Sequence, residues 1–193
     1  MFLPLVAGLG NPGRDYEHTR HNLGWVVLEA LAKKHGLAWK HAPQFNAELA
    51  RWDVAGGTRW LVKPLTFMND SGRALGAVAR FYKIEPADLA VVYDDLTIDL
   101  GLLKITTTGS AGGHNGVESL LEHLGSGFVR YRLGVGPKQP AQMDMADFVL
   151  GKFTLEQQTL VNQKLDHYVS GLELLLSRGV EPAMNQLNRR DSK

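Results

Sequence analysis

The sequence contains no cysteine among its 193 residues. This absence excludes disulfides, thiolate nucleophiles and every zinc or iron–sulfur site that is built on cysteine. An excess of charge of one sign is also missing, because 21 basic residues stand against 20 acidic ones and leave a formal net charge of +1. No global field therefore attracts nucleic acid, and any anionic partner must be held by a local patch.

Long hydrophobic runs and targeting signals are missing as well. No apolar stretch approaches the roughly 18 residues of a membrane span. The opening residues 1–6 lack the basic region of a signal peptide and are soon followed by Gly-Asn-Pro-Gly. We therefore expect a cytoplasmic protein without membrane contact. At roughly 150 residues per domain, the length predicts a single domain over residues 1–193, with about 186–193 as a flexible tail.

Strand and helix patterns alternate along the chain. Short apolar runs predict strands at 5–9, 47–54, 59–62, 89–93, 102–106 and 129–135. Helical spacing of apolar residues predicts helices that begin near 23, 75 and 117, and a capping box at 154–157 opens a long helix to about 178. This alternation predicts an α/β domain with a mixed, mostly parallel twisted sheet flanked by helices.

The first turn matches the dinucleotide-binding pattern G-x-G-x-x-G at residues 8–13. That pattern requires a helix to begin inside it, whereas here the helix starts about ten residues later. It also requires an acidic residue after a second strand, and Glu29 instead lies within the predicted helix. The turn is thus more simply a strand–helix connection, or a device that presents Asn11 at the end of the strand.

Polar residues cluster where predicted elements begin or end, namely at Asn11, His21, Asn69, Asp94 and the pair His114-Asn115. In open α/β sheets, sites lie beyond the carboxyl ends of the strands, so these residues can converge. An Asp/His zinc site stays possible, but no HExxH-type pair is present. Separately, each of these residues is also a common helix cap or turn former.

A proton-transfer site is the chemical interpretation of this set. His21 stands just before the first helix, where the macrodipole keeps an imidazole neutral. Asp94, at the end of a buried strand, can hold one ring N–H and stabilise the imidazolium. Because no serine lies in a G-x-S-x-G elbow, water would be the nucleophile. The neutral amides suit a developing oxyanion.

Four groups of residues, in this order, resemble the signatures of the bacterial peptidyl-tRNA hydrolase family. The signatures are Gly8-Leu-Gly-Asn11-Pro-Gly13 with Tyr16, Thr19-Arg20-His21-Asn22 and Gly24; Lys63-Pro64 with Thr66-Phe67-Met68-Asn69 and Ser71-Gly72; Asp94-Asp95-Leu96; and Gly109-Ser-Ala-Gly112-Gly-His114-Asn115-Gly116. Together they cover nearly the whole chain. The resemblance therefore extends to fold as well as to single motifs.

The resemblance implies hydrolysis of the ester between a peptide and the 3′-terminal ribose of tRNA, which recycles peptidyl-tRNA from stalled translation. By position, His21 matches the family's general base and Asp94 its orienting acid. Substrate contacts are implied for the following residues: Asn11 and Asn69 at the peptide end, Asn115 with water and substrate, and Tyr16, Met68 and His114 as pocket-lining or gating positions. No metal or other cofactor is implied.

Contact with tRNA is implied for Lys104 and Arg132. Arg130 lies two residues before Arg132, so strand alternation predicts that both arginines point outward together. Thr106-Thr107-Thr108 stands where the family often has a second basic residue, which weakens the expected phosphate anchoring. We further expect a monomer, and the loop at 136–147 is long enough to act as a lid.

Two other classes of protein remain as alternatives. A non-catalytic RNA-binding protein on the same fold would not need a histidine paired with an orienting acid. A generic α/β esterase or peptidase for small substrates would normally carry a nucleophile elbow or a metal motif, and neither is present.

Overall fold

A computed structural model describes residues 2–188 of the chain. Seven strands form one sheet, and they are β1 (Leu5–Gly8), β2 (Trp39–Ala42), β3 (Ala47–Val54), β4 (Gly57–Pro64), β5 (Leu89–Asp99), β6 (Leu103–Thr106) and β7 (Val129–Gly136). Six α-helices surround it, and they are α1 (Leu23–Lys34), α2 (Ser71–Tyr82), α3 (Asn115–Leu124), α4 (Met145–Leu150), α5 (Leu155–Arg178) and α6 (Val180–Leu187). Within residues 2–188, no helix is long and apolar enough to cross a membrane.

The strand order is β2-β3-β4-β1-β5-β7-β6. The four central strands β4, β1, β5 and β7 run parallel, whereas β2, β3 and β6 pair antiparallel with their neighbours. The predicted hairpin is the β3–β4 pair, closed by a turn at Ala55 and Gly56. The prediction of an α/β fold with a mixed sheet, parallel at its centre, is confirmed.

Alternating side chains of the strands divide the core into two halves. Val6 and Val92 contribute to the half that α1, α5 and α6 cover. Leu5, Ala7 and Val91 contribute to the half beneath α2 and α3. Each inner strand is therefore buried on both faces, which explains why the strands appear in the sequence as continuous apolar runs without alternation.

The parallel centre of the sheet determines where the polar residues meet. Strand β1 lies between β4 and β5, so the segments that follow these three strands emerge side by side. Asn11 follows β1, the Met68–Asp70 turn follows β4, and Asp94 lies on β5. A 3₁₀ turn at Arg20–Asn22 then leads directly into α1. All of these lie at one edge of the sheet.

The long helix α5 begins with the predicted capping box. Thr154 Oγ1 accepts from Gln157 N, while Gln157 Oε1 accepts from Thr154 N. The apolar pattern of the sequence does not indicate β2, α4 and α6, which have four, six and eight residues. These segments are too short for a periodic pattern to stand out.

The predicted tail boundary at about 186 differs from the structure. Helix α6 continues to Leu187, and the side chain of Asn188 donates to Ile105 O and accepts from Ile105 N on the edge strand β6. An amide that mimics a neighbouring strand thus holds residue 188 in place. The rest of the predicted tail, 189–193, lies outside the described residues.

Candidate active site

A cavity of about 760 Å³ opens at the carboxyl edge of the central strands. Nine of the ten predicted site residues line it, and they are Asn11, Tyr16, His21, Met68, Asn69, Asp94, His114, Asn115 and Arg132. Lys104 does not line it. Residues far apart in the sequence are therefore brought together around one space.

His21 and Asp94 form a buried pair on one wall of this cavity. His21 Nδ1 lies 2.9 Å from Asp94 Oδ1 and 3.0 Å from Oδ2. The side chains are only 7% and 1% exposed, respectively. Because the carboxylate accepts a hydrogen bond from Nδ1–H, the neutral ring carries its lone pair on Nε2. This is the geometry of a histidine that is oriented as a base.

His114 contacts the same carboxylate oxygen as His21. Its Nε2 lies 3.1 Å from Asp94 Oδ1, and its Nδ1 accepts from Val117 N at the start of α3. An imidazole nitrogen that accepts a backbone N–H carries no proton itself, so Nε2 must be the protonated nitrogen. The helix cap therefore orients His114 with Nε2 towards Asp94.

The electrostatics of Asp94 follow from these two contacts. Burial of the carboxyl raises its pKa, but the attraction of a protonated imidazole at His21 or His114 and the hydrogen bonds that both rings donate outweigh burial and hold the pKa well below its usual range. The group is therefore a carboxylate throughout the physiological range. An ionised Asp94 can stabilise positive charge that develops on His21.

The same three side chains are the one group of potential metal ligands within residues 2–188. Ligand atoms from His21, Asp94 and His114 all lie within 4.8 Å of one another. In the present arrangement each ring donates a hydrogen bond to the carboxylate, so a cation would have to replace both hydrogen bonds. The three side chains therefore satisfy one another without a metal, and the prediction of a metal-free site stays a prediction.

Asn11 lines the cavity and also joins two segments of the fold through a hydrogen bond. Its Oδ1 accepts from Met68 N at 2.7 Å, which ties the end of β1 to the turn after β4. Asn22 supports it, because its Oδ1 accepts from Asn11 N and its Nδ2 donates to Asn11 O. With Oδ1 occupied, Asn11 presents its NH₂ group to the cavity as a donor.

The other two amides extend from neighbouring segments. Asn69 lies in the Met68–Asp70 turn, Asn115 is the first residue of α3, and both are exposed at the cavity. Apolar surface adjoins them, because the Tyr16 and Phe67 rings meet edge to face with centroids 6.1 Å apart, and Phe67 is 57% exposed. The cavity thus combines polar amide groups with an apolar wall, which is typical of ligand-binding sites.

The two predicted RNA-contacting residues lie directly opposite each other. Lys104 on β6 and Arg132 on β7 are cross-strand partners. Arg132 Nε donates to Asp95 Oδ2 at 2.8 Å, and its Nη2 donates to Thr97 Oγ1. Lys104 is exposed. Paired residues of this kind share one face of the sheet, so both cations face the same side, and Arg132 is the one that lines the cavity.

The prediction that Arg130 points outward is wrong. The side chain is 4% exposed, and its guanidinium donates to Gly109 O and Ser110 O. Strand alternation correctly places it on the same face as Arg132, but the glycine-rich loop folds over that part of the face. Arg130 therefore holds this loop and is not a free phosphate contact.

Several residues at the site are not among the predicted ones. Asn22 and Asp95 are adjacent to predicted residues in the same motifs, so those motifs could have indicated them. Helix α4 gave no such signal, although Met145, Val149 and Leu150 line the cavity. The segment at 136–147 thus includes the start of a helix, and its action as a lid stays a prediction.

Comparison with known proteins finds relatives along nearly the whole chain. A family model described as peptidyl-tRNA hydrolase matches residues 5–193. The chain is 42% identical over 191 residues to the peptidyl-tRNA hydrolase of Gloeobacter violaceus, covering 98% of this chain and 96% of that protein. It is 44% identical over 189 residues to that of Anaeromyxobacter sp. (strain K), covering 97% of each.

Solved structures agree with both the fold and the sequence. A crystal structure of a peptidyl-tRNA hydrolase in complex with N-propanol matches with a TM-score of 0.90 at 36% identity, covering 99% of this chain and 97% of that one. The enzyme from Acinetobacter baumannii matches with a TM-score of 0.89 at 36% identity, covering 96% and 94%. The chain therefore belongs to the peptidyl-tRNA hydrolase family and is a hydrolase.

Proposed function

We propose that this protein cleaves the ester between the carboxyl end of a peptide and the 3′-terminal ribose of tRNA, using a water molecule that His21 activates. The observation that carries the proposal is the buried His21–Asp94 pair, at 2.9 Å, in a cavity that three carboxamides also line. Membership of the family supports the substrate, peptidyl-tRNA.

In the proposed reaction, Nε2 of His21 takes a proton from water while the water oxygen attacks the ester carbonyl carbon. The carbonyl electrons move onto oxygen and form a tetrahedral oxyanion. When the bond to the ribose oxygen breaks, the imidazolium returns its proton to that oxygen. The products are the peptide's carboxylic acid and tRNA with a free hydroxyl. Asp94 stabilises the imidazolium between these two steps.

The amides complete the proposed site. The NH₂ group of Asn11 and the side chain of Asn69 bind the peptide end, and Asn115 positions water and substrate. Neutral donors of this kind stabilise an oxyanion without adding a charge that would compete with the carboxylate. Tyr16 and Met68 form the wall against which the peptide lies, and His114 holds Asp94 in place.

On the RNA side, Lys104 and Arg132 bind phosphate. They are cross-strand partners on one face of the sheet, and Arg132 lines the cavity, which suits an acceptor strand that passes over the edge of the sheet. In this proposal the protein acts in the cytoplasm as a monomer, without a metal or other cofactor.

The test compares two esters of the same acyl group. The protein is incubated with an N-acylated aminoacyl-tRNA and, separately, with a free N-acyl amino-acid ester. Hydrolysis of the tRNA ester alone supports the proposal. Hydrolysis of both identifies a generic esterase, and binding of the tRNA without hydrolysis identifies an RNA-binding protein.

A further inference from the structure

Arg20, the residue before His21, is a buried cation that no carboxylate neutralises within the described residues. Arg20 is only 7% exposed, and burial lowers the pKa of its guanidinium. The group stays charged, since arginine does not deprotonate in proteins. A charge that is kept out of water must be compensated by hydrogen bonds, and the bonds it makes show what it does.

The guanidinium reaches across the fold to the end of α4. Nη1 donates to Phe148 O at 3.2 Å and to Lys152 O at 3.1 Å. The group also lies 4.2 Å from the centroid of the Phe148 ring. Phe148 O also accepts from Gly151 N, so Arg20 adds a second donor to this carbonyl, and its positive charge complements the C-terminal end of the helix dipole. Arg20 thus binds α4 at its C-terminal end.

A second bond connects Arg20 to the start of α5. Nη2 donates at 2.8 Å to Gln157 Oε1, the same oxygen that closes the capping box with Thr154 N. The backbone follows the same path, because Arg20 N donates to Gly151 O and Thr19 pairs with Lys152 in an antiparallel bridge. The turn that carries His21 is therefore joined to both ends of the α4–α5 connection.

Helix α4 needs such an anchor because it is short. It has six residues, of which Phe148 is the buried one. Helices of this length are not stable by themselves in water. Its remaining apolar side chains face the cavity, and Met145 is 48% exposed. At the far end of α4, a Cβ added to Gly113 would lie 3.1 Å from Met145 Cε, so the helix reaches the glycine-rich loop.

We propose that Arg20 is a positioning residue that holds α4 against the cavity in a fixed place relative to His21, and that it thereby sets the affinity for the acyl part of the substrate. The proposal rests on the proposed function for the identity of the substrate. Arg20 does not touch the reacting atoms. It acts through α4, whose Met145, Val149 and Leu150 line the space beside the base.

Two substitutions disturb this contact in different ways. Arg20→Lys keeps the charge and loses the planar fork that reaches two carbonyls and an amide at once. Gly151→Ala keeps Arg20 itself, but the new Cβ would lie 2.9 Å from Arg20 Nη1, which must move away, and 3.2 and 3.3 Å from Phe148 O and Asp147 O at the end of α4. Gly151 has a φ of −73°, so its backbone dihedral is open to alanine, and the variant disturbs the contact between Arg20 and α4 by crowding.

A matched control lies elsewhere in the molecule. Arg59 is also buried, also donates to two backbone carbonyls (Leu3 O and Leu176 O) and also lies over aromatic rings. It does not line the cavity. Arg59→Lys therefore removes the same kind of contact away from α4.

Hydrogen exchange of the free protein and steady-state kinetics with an N-acylated aminoacyl-tRNA form the test. In Arg20→Lys and Gly151→Ala, the α4 amides should exchange about tenfold faster than in wild type, with α3 amides unchanged. KM should rise by about tenfold while kcat changes by less than about threefold. Arg59→Lys should show neither the local exchange nor the KM effect.

Unchanged α4 exchange in both variants would overturn the proposal. So would equal losses across the whole protein in Arg20→Lys and Arg59→Lys, because Arg20 would then be an ordinary core contact. If the wild-type chain hydrolyses no ester, the proposed function fails, while exchange at α4 still decides whether Arg20 anchors this helix.

Discussion

Asp94 Oδ1 accepts from both His21 Nδ1, at 2.9 Å, and His114 Nε2, at 3.1 Å. The two rings are also in contact with each other, with centroids 4.7 Å apart. One ring has its remaining nitrogen at the cavity, and the other uses its remaining nitrogen to cap α3. Two histidines with the same partner therefore have different tasks, because only one is held by the backbone.

Replacement of His114 should separate its two contacts. His114→Ala removes the cap of α3 and a donor to Asp94, and we expect the free energy of unfolding to fall by about 1–3 kcal/mol. His114→Asn restores a good helix cap but not the bond to Asp94. Urea unfolding of both variants, together with kcat, measures the two effects. Equal stability of the two variants would contradict a capping role.

The role of His21 is tested by His21→Ala. Loss of the general base should lower kcat by about 10² to 10⁴, while KM changes little. The measurement is steady-state hydrolysis of an N-acylated aminoacyl-tRNA, with circular dichroism to show that the variant is folded. Near-normal turnover of the folded variant would refute the assignment of the base.

The depressed pKa of Asp94 predicts how stability depends on pH. A carboxyl whose pKa is lower in the folded state than in the unfolded state contributes stability above its unfolded value, near 3.9, and this contribution is lost as the pH falls towards the folded value. The free energy of unfolding should therefore fall less steeply below about pH 4 in Asp94→Asn than in wild type. Parallel profiles from urea titrations would show that Asp94 carries no such contribution.

The two functions of Asn11 can be distinguished by a pair of variants. Asn11→Asp keeps an oxygen that accepts from Met68 N but removes the NH₂ donor, so it should fold as wild type while kcat falls by about 10² or more. Asn11→Ala removes both and should also lose about 1–3 kcal/mol of stability. Thermal unfolding and kcat are measured together. An Asn11→Asp variant with full activity would exclude the donor role.

Phosphate contacts predict a salt-dependent KM. Lys104→Ala and Arg132→Ala should each raise KM, and each should lower the slope of log KM against log salt by about one. Neither should change kcat at saturating substrate. Arg59→Ala, which removes a buried cation away from the cavity, serves as the control. Unchanged slopes would leave Lys104 and Arg132 as ordinary surface residues.

Much of the fold could be predicted because its signals are local. The buried strand at 89–93, the α3 helix and the capping box at Thr154 and Gln157 each depend on residues that are near one another in the sequence. The segments β2, α4 and α6 could not be predicted, because their own residues do not stabilise them. Helix α4 depends on Arg20, which lies 128 residues away from Phe148 in the chain.

The same division applies to the candidate site. Motifs identified His21, Asp94 and the three asparagines, and the sequence placed them at the ends of elements. It could not show that Asn11 Oδ1 accepts a hydrogen bond from Met68 N, nor that the glycine-rich loop covers Arg130. Both depend on which loop folds over which strand.

The sequence by itself determined the chemistry that is available to this protein, since it contains histidines, carboxylates and amides but no thiol. It also determined the layered fold, because the periods of its apolar residues are short-range properties. Only the tertiary structure decided that Asp94 accepts from two rings, that the start of α3 orients His114 and that Arg20 reaches α4. The reason is that a hydrogen bond forms between specific atoms within about 3 Å, and only the packed chain brings atoms from distant segments to that distance.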